Sequence, residues 1–321
     1  MLFTVVKIPP SPPPFEKVLT FLKKNLFLFA NAVLALLLFG FLLYSFDFTS
    51  LYSELIRSNT VLLLLAALCY LLTHFISALR YKLLLPSHSV FSFFSSHMKA
   101  MLASDATPGR VGYSLFILDL RKKGVRGGKG AKVMGVSFAS DFLVRGIIAL
   151  AAIWFFSKGF WEIGLLVVMA SLLLLALLFF KIRVLAKLFS KIPFYGKRLE
   201  NAYHFVFQQK TSFNQLLVSI GFSIAGAIAR GLEWVLVLNA MGLNAGIGEM
   251  TVLSALLTAL SFVPLSISGF GLQEGGGIVL LSSLLGFGAI QAAGAMILIR
   301  FVDVLSDLIV GGWFFLRKEK R

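Results

Sequence analysis

Apolar runs about as long as a membrane is thick recur along this chain and constrain its fold more than any other feature. A helix needs roughly 20 apolar residues to cross a hydrocarbon core of about 30 Å. Such runs follow one another through the 321 residues, of which 58% are hydrophobic and only 14% are charged. The mean hydropathy of +0.90 matches this composition. The sequence therefore predicts an all-α integral membrane protein with one polytopic domain.

The basic residues lie in short segments between the apolar runs. Lys and Arg outnumber Asp and Glu by 30 to 14, which gives a formal net charge of +16. Cytoplasmic loops of membrane proteins carry such an excess, so we expect no nucleic-acid partner. The segment "RKKGVRGGKGAK" contains no acid and is predicted to be cytoplasmic. The single cysteine and the scattered histidines predict neither a disulfide nor a metal site, and no cofactor motif is present.

The charge distribution predicts six full spans in the cell membrane, with both termini in the cytoplasm. Arg80 and Lys82 mark the cytoplasmic end of the second span. Residues 1–25 form a Pro-rich cytoplasmic segment rather than a signal peptide, residues 26–316 the transmembrane domain, and residues 317–321 a basic tail. The predicted spans cover residues 26–46, 61–79, 132–156, 161–180, 215–240 and 290–316.

Two segments do not fit this series of full spans. Residues 90–120 begin and end on the cytoplasmic side, and residues 249–288 begin and end on the outer side. We therefore predict two re-entrant helical hairpins, with kinked helices packed through small residues as the alternative. Glycine permits tight turns and close helix contacts, and proline favours a helix end. The predicted hairpin tips contain Pro108, Gly109, Gly112, Pro264, Gly269 and Gly271.

The two hairpins show the same spacing to a charged residue in the helix that follows. Gly112 precedes Asp141 by 29 residues, and Gly271 precedes Arg300 by 29 residues. Since the hairpins enter from opposite faces, the two halves are predicted to be inverted repeats. Many secondary transporters use this arrangement to place a site near the membrane midplane.

Ionisable residues inside the apolar segments are the main functional signal. Each costs at least about 2.5 kcal/mol at the bilayer centre, so such residues usually face a partner or a cavity. Spacings of three or four residues suggest pairs within single helices. The charges can thus hold the bundle together, or they can form a polar path for a lipid headgroup, with Arg110 on a phosphate. The candidates are Arg110, Asp141, Arg145, Arg230, Glu233, Glu274, Arg300 and Asp303.

Two motifs resemble those of the transmembrane, flippase-like family of lysylphosphatidylglycerol synthases. The later family motif reads approximately P-v-s-P-G-G-l-G-v-r-E, and "PLSISGFGLQE" keeps five of its positions: Pro264, Ser266, Gly269, Gly271 and Glu274. The earlier motif, P-G-R-l-G-E, is similar to "PGRVGY" at residues 108–113. Asp141 and Arg300 match an aspartate and an arginine that the family carries after these motifs. The departures are Tyr113 for glutamate, Ile267 and Ser268 for Pro-Gly, Gln273 for a basic residue, and Ser137 and Phe138 for a Glu-Arg pair.

The resemblance implies lipid translocation rather than lipid synthesis. Fused members make lysyl-lipid with a soluble aminoacyltransferase domain, which these 321 residues do not contain. We therefore expect a non-enzymatic flippase or scramblase for a phospholipid or a related phosphate-bearing lipid, with anionic membrane lipids as partners. The alternatives are a polyisoprenyl-phosphate carrier and an accessory subunit that docks a membrane partner or a second copy. A membrane-embedded enzyme with Asp141 or Glu274 as base has little support, since no catalytic motif accompanies them.

Overall fold

The computed structural model describes residues 48–107, 110–156, 212–260 and 269–317, together with Met169 and Leu172. All regular structure within these ranges is helical. The predicted segments 1–25 and 26–46 lie outside the described residues, as does 161–180 apart from Met169 and Leu172, and so do Pro108, Gly109 and Pro264. The helices are α1 (Phe48–Ile56), α2 (Thr60–Leu84), α3 (Val90–Asp105), α4 (Ser114–Lys122), α5 (Gly127–Phe156), α6 (Phe213–Ala240), α7 (Ile247–Leu260), α8 (Leu272–Leu285), α9 (Ala289–Ser306) and α10 (Gly312–Leu316).

Helices α2 and α6 form the centre of the described structure and pack along each other. Within the described ranges they are the two helices that are both long and apolar enough to cross a membrane. Each begins at a side-chain cap that satisfies backbone N–H groups. The Asn59 side chain accepts from the first turn of α2, and Ser212 forms a capping box with Gln215 at α6. Helix α2 continues to Leu84, five residues beyond the predicted end of the second span.

Helices α3 and α4 form the first predicted hairpin. They pack against each other and are joined by a turn that includes a 3-10 segment, Val111–Tyr113. A Cβ at Gly112 would overlap the backbone of Ala103 and Ser104 in α3, so only glycine fits there. The Gly112 N–H also donates to Thr107 Oγ1 at 2.7 Å. The predicted role of Gly112 as a site of close helix contact is thus confirmed.

The open end of this hairpin is held by an ion cluster next to the basic segment. Asp119 accepts from Ser96 Oγ at 2.6 Å and lies 3.0–3.1 Å from the ammonium groups of Lys99 and Lys123. Burial alone would raise the pKa of the Asp119 carboxyl. The hydrogen bond from Ser96 and the two cations outweigh burial and hold this pKa below its usual value.

Helices α7 and α8 form the second predicted hairpin and also pack against each other. Gly269 and Gly271 precede α8 with φ angles of 79° and 84°, a backbone region that strongly favours glycine. The Glu274 carboxylate accepts the Gly271 N–H at 2.7 Å and so closes the first turn of α8. With 14 residues each, α7 and α8 are about 21 Å long, shorter than a hydrocarbon core.

The last predicted span is one continuous helical rod with an irregular turn. Helix α9 passes through a π-helical turn, Asp307–Gly311, into α10. This turn packs against α3, and a Cβ at Gly311 would crowd the Met98 carbonyl oxygen. The second half of the chain is thereby joined to the first hairpin.

Candidate functional site

A polar cavity of about 90 Å³ lies between α2, the first hairpin, α5 and α6. Its walls combine four arginines with two aspartates, two histidines and three tyrosines, which is unusual between apolar helices. A cavity of this size accommodates several water molecules. The described residues that line it are Tyr70, Thr73, His74, Ser77, Arg80, Tyr81, His97, Met101, Arg110, Tyr113, Phe138, Asp141, Phe142, Arg145, Arg230, Thr258, Gln273 and Asp303.

One wall holds an ion pair between α2 and α5. The Arg80 guanidinium donates to both carboxylate oxygens of Asp141, at 2.7 and 3.0 Å. Ser223 of α6 accepts from Arg80 at 2.8 Å and donates to Asp141 at 2.6 Å. The expected pairing of Asp141 with Arg145 is therefore wrong, because a bidentate partner is available on α2. Arg80 is only 2% exposed, so its side chain is buried between helices, and its predicted position at the cytoplasmic end of the second span stays a prediction.

The opposite wall holds a second ion pair, between α6 and α9. Arg230 donates to the two carboxylate oxygens of Asp303, at 2.6 and 2.5 Å. It also donates to both oxygens of Glu233, at 2.9 and 2.6 Å, which confirms the predicted pair within α6. The ring of Tyr70 lies 5.2 Å from the Arg230 guanidinium carbon. The predicted Arg300–Asp303 pair is wrong, because Asp303 pairs with Arg230.

Arg300 instead lies below the tip of the second hairpin. Its Nε is 3.4 Å from the Glu274 carboxylate, and its guanidinium carbon lies 4.0 Å from the centre of the Phe270 ring. A terminal nitrogen reaches the Gln273 side-chain oxygen at 3.5 Å. Glu274 is 1% exposed and is used as an arginine partner and a helix cap. The Glu274 carboxylate is thus the partner of an arginine of the protein itself.

Arg110 and Arg145 both contribute to the cavity wall. Arg110 lies at the tip of the first hairpin with φ 56°, in the left-handed region, and its side chain hydrogen-bonds Tyr113. Its backbone carbonyl accepts from Ser104 Oγ at 3.2 Å and so fixes the turn. Arg145 lies one helical turn after Asp141 on α5. Its guanidinium makes no hydrogen bond or ion pair with any described residue.

A buried histidine pair forms another part of the wall. His74 Nδ1 lies 3.0 Å from His97 Nε2, and the Tyr81 hydroxyl lies 3.4 Å from His97 Nδ1. His74 is 7% exposed, and its Nε2 has no hydrogen-bond partner. Tyr70, one turn earlier, donates to Asp307 in the π-helical turn at 2.7 Å.

Sequence analysis missed the polar face of α2, although its spacing was visible. Tyr70, His74, Ser77 and Tyr81 recur every three or four residues, which places them on one side of an apolar helix. Five of the eight predicted charges line the cavity, Glu233 lies behind Arg230, and Glu274 and Arg300 lie under the second tip. No group of three His, Cys, Asp or Glu residues in the described ranges can hold a metal ion.

An apolar groove of about 370 Å³ begins one helical turn away from the cavity. Ile148, which lines the groove, follows Arg145, which lines the cavity, by three residues on α5. Exposed apolar side chains on its walls suit contact with hydrocarbon. The lining residues are Ile148, Ala151, Ile228, Ile247, Gly248, Thr251 and Val252.

Comparison with known proteins agrees with the motifs at the two hairpins. Residues 28–311 match the family described as the lysylphosphatidylglycerol synthase TM region. A search of curated proteins found no match. The family match covers most of the chain, including both hairpins and every residue of the cavity wall. The chain is therefore a membrane protein that belongs to the family of the lysylphosphatidylglycerol synthase transmembrane region.

Proposed function

We propose that the protein is a flippase or scramblase that moves a phosphate-bearing lipid across the membrane. The observation that carries this proposal is the arginine-rich cavity beside an apolar groove. A lipid needs both environments at once, because its phosphate binds guanidinium groups and its chains stay in hydrocarbon. Arg145 and Ile148, three residues apart on α5, place the two environments within about 4.5 Å of helix rise.

The two hairpins support a path through the membrane. Helices α7 and α8 are shorter than a bilayer core, as is α3 with 16 residues, or about 24 Å. Non-helical backbone at membrane depth is tolerated where it is buried in protein or lines a water-filled cavity. We infer that both hairpins are re-entrant and that the Arg110 turn lies at the polar end of the lipid path. The proposed role is transport without a chemical step.

The ion pairs support an inverted repeat of α2–α5 and α6–α9. In each half, an arginine on the first long helix pairs with an aspartate on the helix after the hairpin. Such pairs can separate and re-form as one half moves against the other. Ser223 and Tyr70 each reach across to the other half's pair, so opening one side changes contacts on both.

The test is lipid movement in liposomes that contain the purified protein. A fluorescent phospholipid in the inner leaflet is protected from dithionite, and a translocator exposes it. We expect faster loss of fluorescence than in protein-free liposomes. Filling the groove by Gly248→Leu should slow this loss, because a Cβ there meets open space and the larger side chain occupies the groove.

Gly221→Leu is the matched control for the groove variant. Gly221 is also an exposed helical glycine with open space around an added Cβ, but it lies outside the groove. We expect Gly221→Leu to retain wild-type rates. Equal slowing by both substitutions would contradict a role for the groove. No acceleration by wild-type protein, together with copurification of a stoichiometric partner, would favour the accessory-subunit alternative.

A further inference from the structure

The charge of the cavity wall restricts the headgroup more than the proposed function does. The cavity of about 90 Å³ has room for several water-sized groups, and therefore for a phosphate. A phosphate that ends the lipid head is a monoester, with three non-bridging oxygens and up to two negative charges.

The charges on the wall favour such a dianion. Four arginines and two aspartates line the cavity, an excess of two cations among its lining side chains. Glu233 also pairs with Arg230, but it does not line the cavity. Both aspartates already accept two N–H groups from an arginine. A cationic headgroup therefore meets no available carboxylate on this wall, whereas an anionic one meets guanidinium groups.

Two side chains on the cavity wall, Arg145 and His74, have N–H donor capacity that no described residue uses. Arg145 has no partner among the described residues and carries a planar fork that matches two phosphate oxygens. His74 Nε2 is a buried ring nitrogen without a partner on the same wall. If Tyr81 donates to His97 Nδ1, then His97 Nε2–H donates to His74 Nδ1, and His74 Nε2 carries the proton. In that tautomer His74, a residue of the cavity wall, carries a buried N–H donor without a partner.

We propose that the cavity is a binding site for a phosphate monoester, with Arg145 and His74 as specificity-determining residues. The inference rests on the proposed function, since it names the substrate class of the same site. Phosphatidic acid and polyisoprenyl phosphates share this chemistry, as does free phosphate. The apolar groove one turn away favours the lipid-borne form.

The experiment measures binding by the shift in unfolding temperature of the full chain in detergent. The probes are phosphatidic acid, phosphatidylglycerol and inorganic phosphate. We expect phosphatidic acid to act at a concentration about tenfold lower than phosphatidylglycerol, because a second charge adds a charge-assisted hydrogen bond. Weaker binding of inorganic phosphate than of phosphatidic acid would support the lipid-borne source, and equal binding of these two would overturn it. Phosphatidylglycerol binding as tightly as phosphatidic acid would overturn the monoester site.

Variants separate a binding role from a folding role. Arg145→Gln should reduce the preference for phosphatidic acid to about two- to threefold without lowering the unfolding temperature of the free protein, and Arg145→Lys should restore part of it. Arg126→Gln removes the same charge from an exposed position outside the cavity and should keep the full preference. A loss of preference in Arg126→Gln as well would overturn the role of Arg145. If the protein prefers phosphatidic acid but does not move lipid in liposomes, the monoester site is supported and the proposed function is rejected. If the protein moves lipid but shows no preference for phosphatidic acid, the proposed function is supported and the monoester site is rejected.

Discussion

The two halves of the described structure, α2–α5 and α6–α9, contain similar helices but differ in how deeply their ion pairs are buried. Each half has a long helix, a hairpin of short helices and a further helix, and each joins its first and last helix by an Arg–Asp pair. In the first half, the Asp141 side chain is 30% exposed. In the second half, the Asp303 side chain is 7% exposed and Arg230 also holds the fully buried Glu233.

The two hairpin tips also differ, since the charged residue of the first tip lines the cavity and that of the second tip is buried in contacts within the protein. Arg110, at the first tip, lines the cavity and hydrogen-bonds Tyr113. At the second tip, Glu274 is used within the protein, by Arg300 and by the Gly271 N–H. We infer that the first half, which lines most of the cavity, makes most of the ligand contacts. The second half, whose Arg230 and Asp303 complete the wall, provides the rigid frame against which the first half moves. This division predicts that matched substitutions in the two halves have unequal effects.

The largest inequality is expected at the two arginines. Arg230→Gln leaves Asp303 and Glu233 without their cation in a buried site, and breaking a buried pair in this way costs about 3–5 kcal/mol. Arg80→Gln should cost less, because Asp141 reaches water and keeps the hydrogen bond from Ser223. Chemical unfolding in detergent micelles measures both free energies. Equal losses would remove the distinction between a frame and a binding half.

Glycine at the two hairpin tips is expected to give the next largest effect. Gly112→Ala forces a Cβ into the backbone of α3, where no flexible side chain can move away, and overpacking of this kind costs about 1–3 kcal/mol. Gly271→Ala strains a backbone with φ 84°, at a cost of roughly 1–2 kcal/mol.

Gly221→Ala is the control for both tip variants. An added Cβ at Gly221 meets open space in the middle of α6, so alanine should stabilise the helix by about 0.5–1 kcal/mol. The free energy of unfolding in micelles measures all three variants. A Gly112→Ala protein as stable as the wild type would show that α3 and the tip of the first hairpin can move apart by about 1 Å at little cost, contrary to their packing in the structure.

Much of this architecture was predictable from the sequence, whereas the ion pairing was not. Hydropathy and charge predicted α2 and α6, and the glycine motifs predicted the breaks before the short helices α4 and α8. That these helix pairs are re-entrant hairpins stays a prediction. Pairing by sequence spacing was correct for Arg230 with Glu233 because both lie on one helix face. It failed for Asp141 and Arg300, whose partners come from other helices. Spacing along the sequence predicts only pairs within one helix. In the folded chain, residues of other helices lie closer to Asp141 and Arg300 and pair with them.

Arg80 also shows that sequence position does not reveal contacts between helices. Its position near the end of an apolar run resembles that of a basic boundary residue, and only the fold reveals that Asp141 and Ser223 surround it. The regular spacing of polar residues along α2 was the sequence feature that could have indicated a buried role for Arg80. These residues, Tyr70, His74, Ser77 and Tyr81, lie on one side of the helix next to Arg80. The six-span topology and the inverted repeat stay predictions.

A smaller effect is expected from the contacts that cross between the halves. Tyr70→Phe removes a hydrogen bond to Asp307, a buried carboxylate, and should cost about 1–3 kcal/mol. Ser223→Ala should cost about 1 kcal/mol or less, because Arg80 and Asp141 still bind each other. A double-mutant cycle between Tyr70→Phe and Ser223→Ala tests coupling of the halves. Additive losses would show that the two crossing contacts act independently, which contradicts linked opening of the two sides.

An effect about as small as that of Ser223→Ala is expected at Phe270, whose ring centre lies 4.0 Å from the Arg300 guanidinium carbon in the second half. Phe270→Leu keeps an apolar side chain and removes the ring, so it should cost about 1 kcal/mol, the value of a partly desolvated cation–π contact. The frame keeps its Arg300–Glu274 contact in this variant, so lipid movement in liposomes should stay at the wild-type rate. Phe270→Tyr retains the ring face and serves as the control, with stability close to wild type. A marked loss of transport with little loss of stability in Phe270→Leu would place the second tip in the lipid path, and the division between a binding half and a frame would then be wrong.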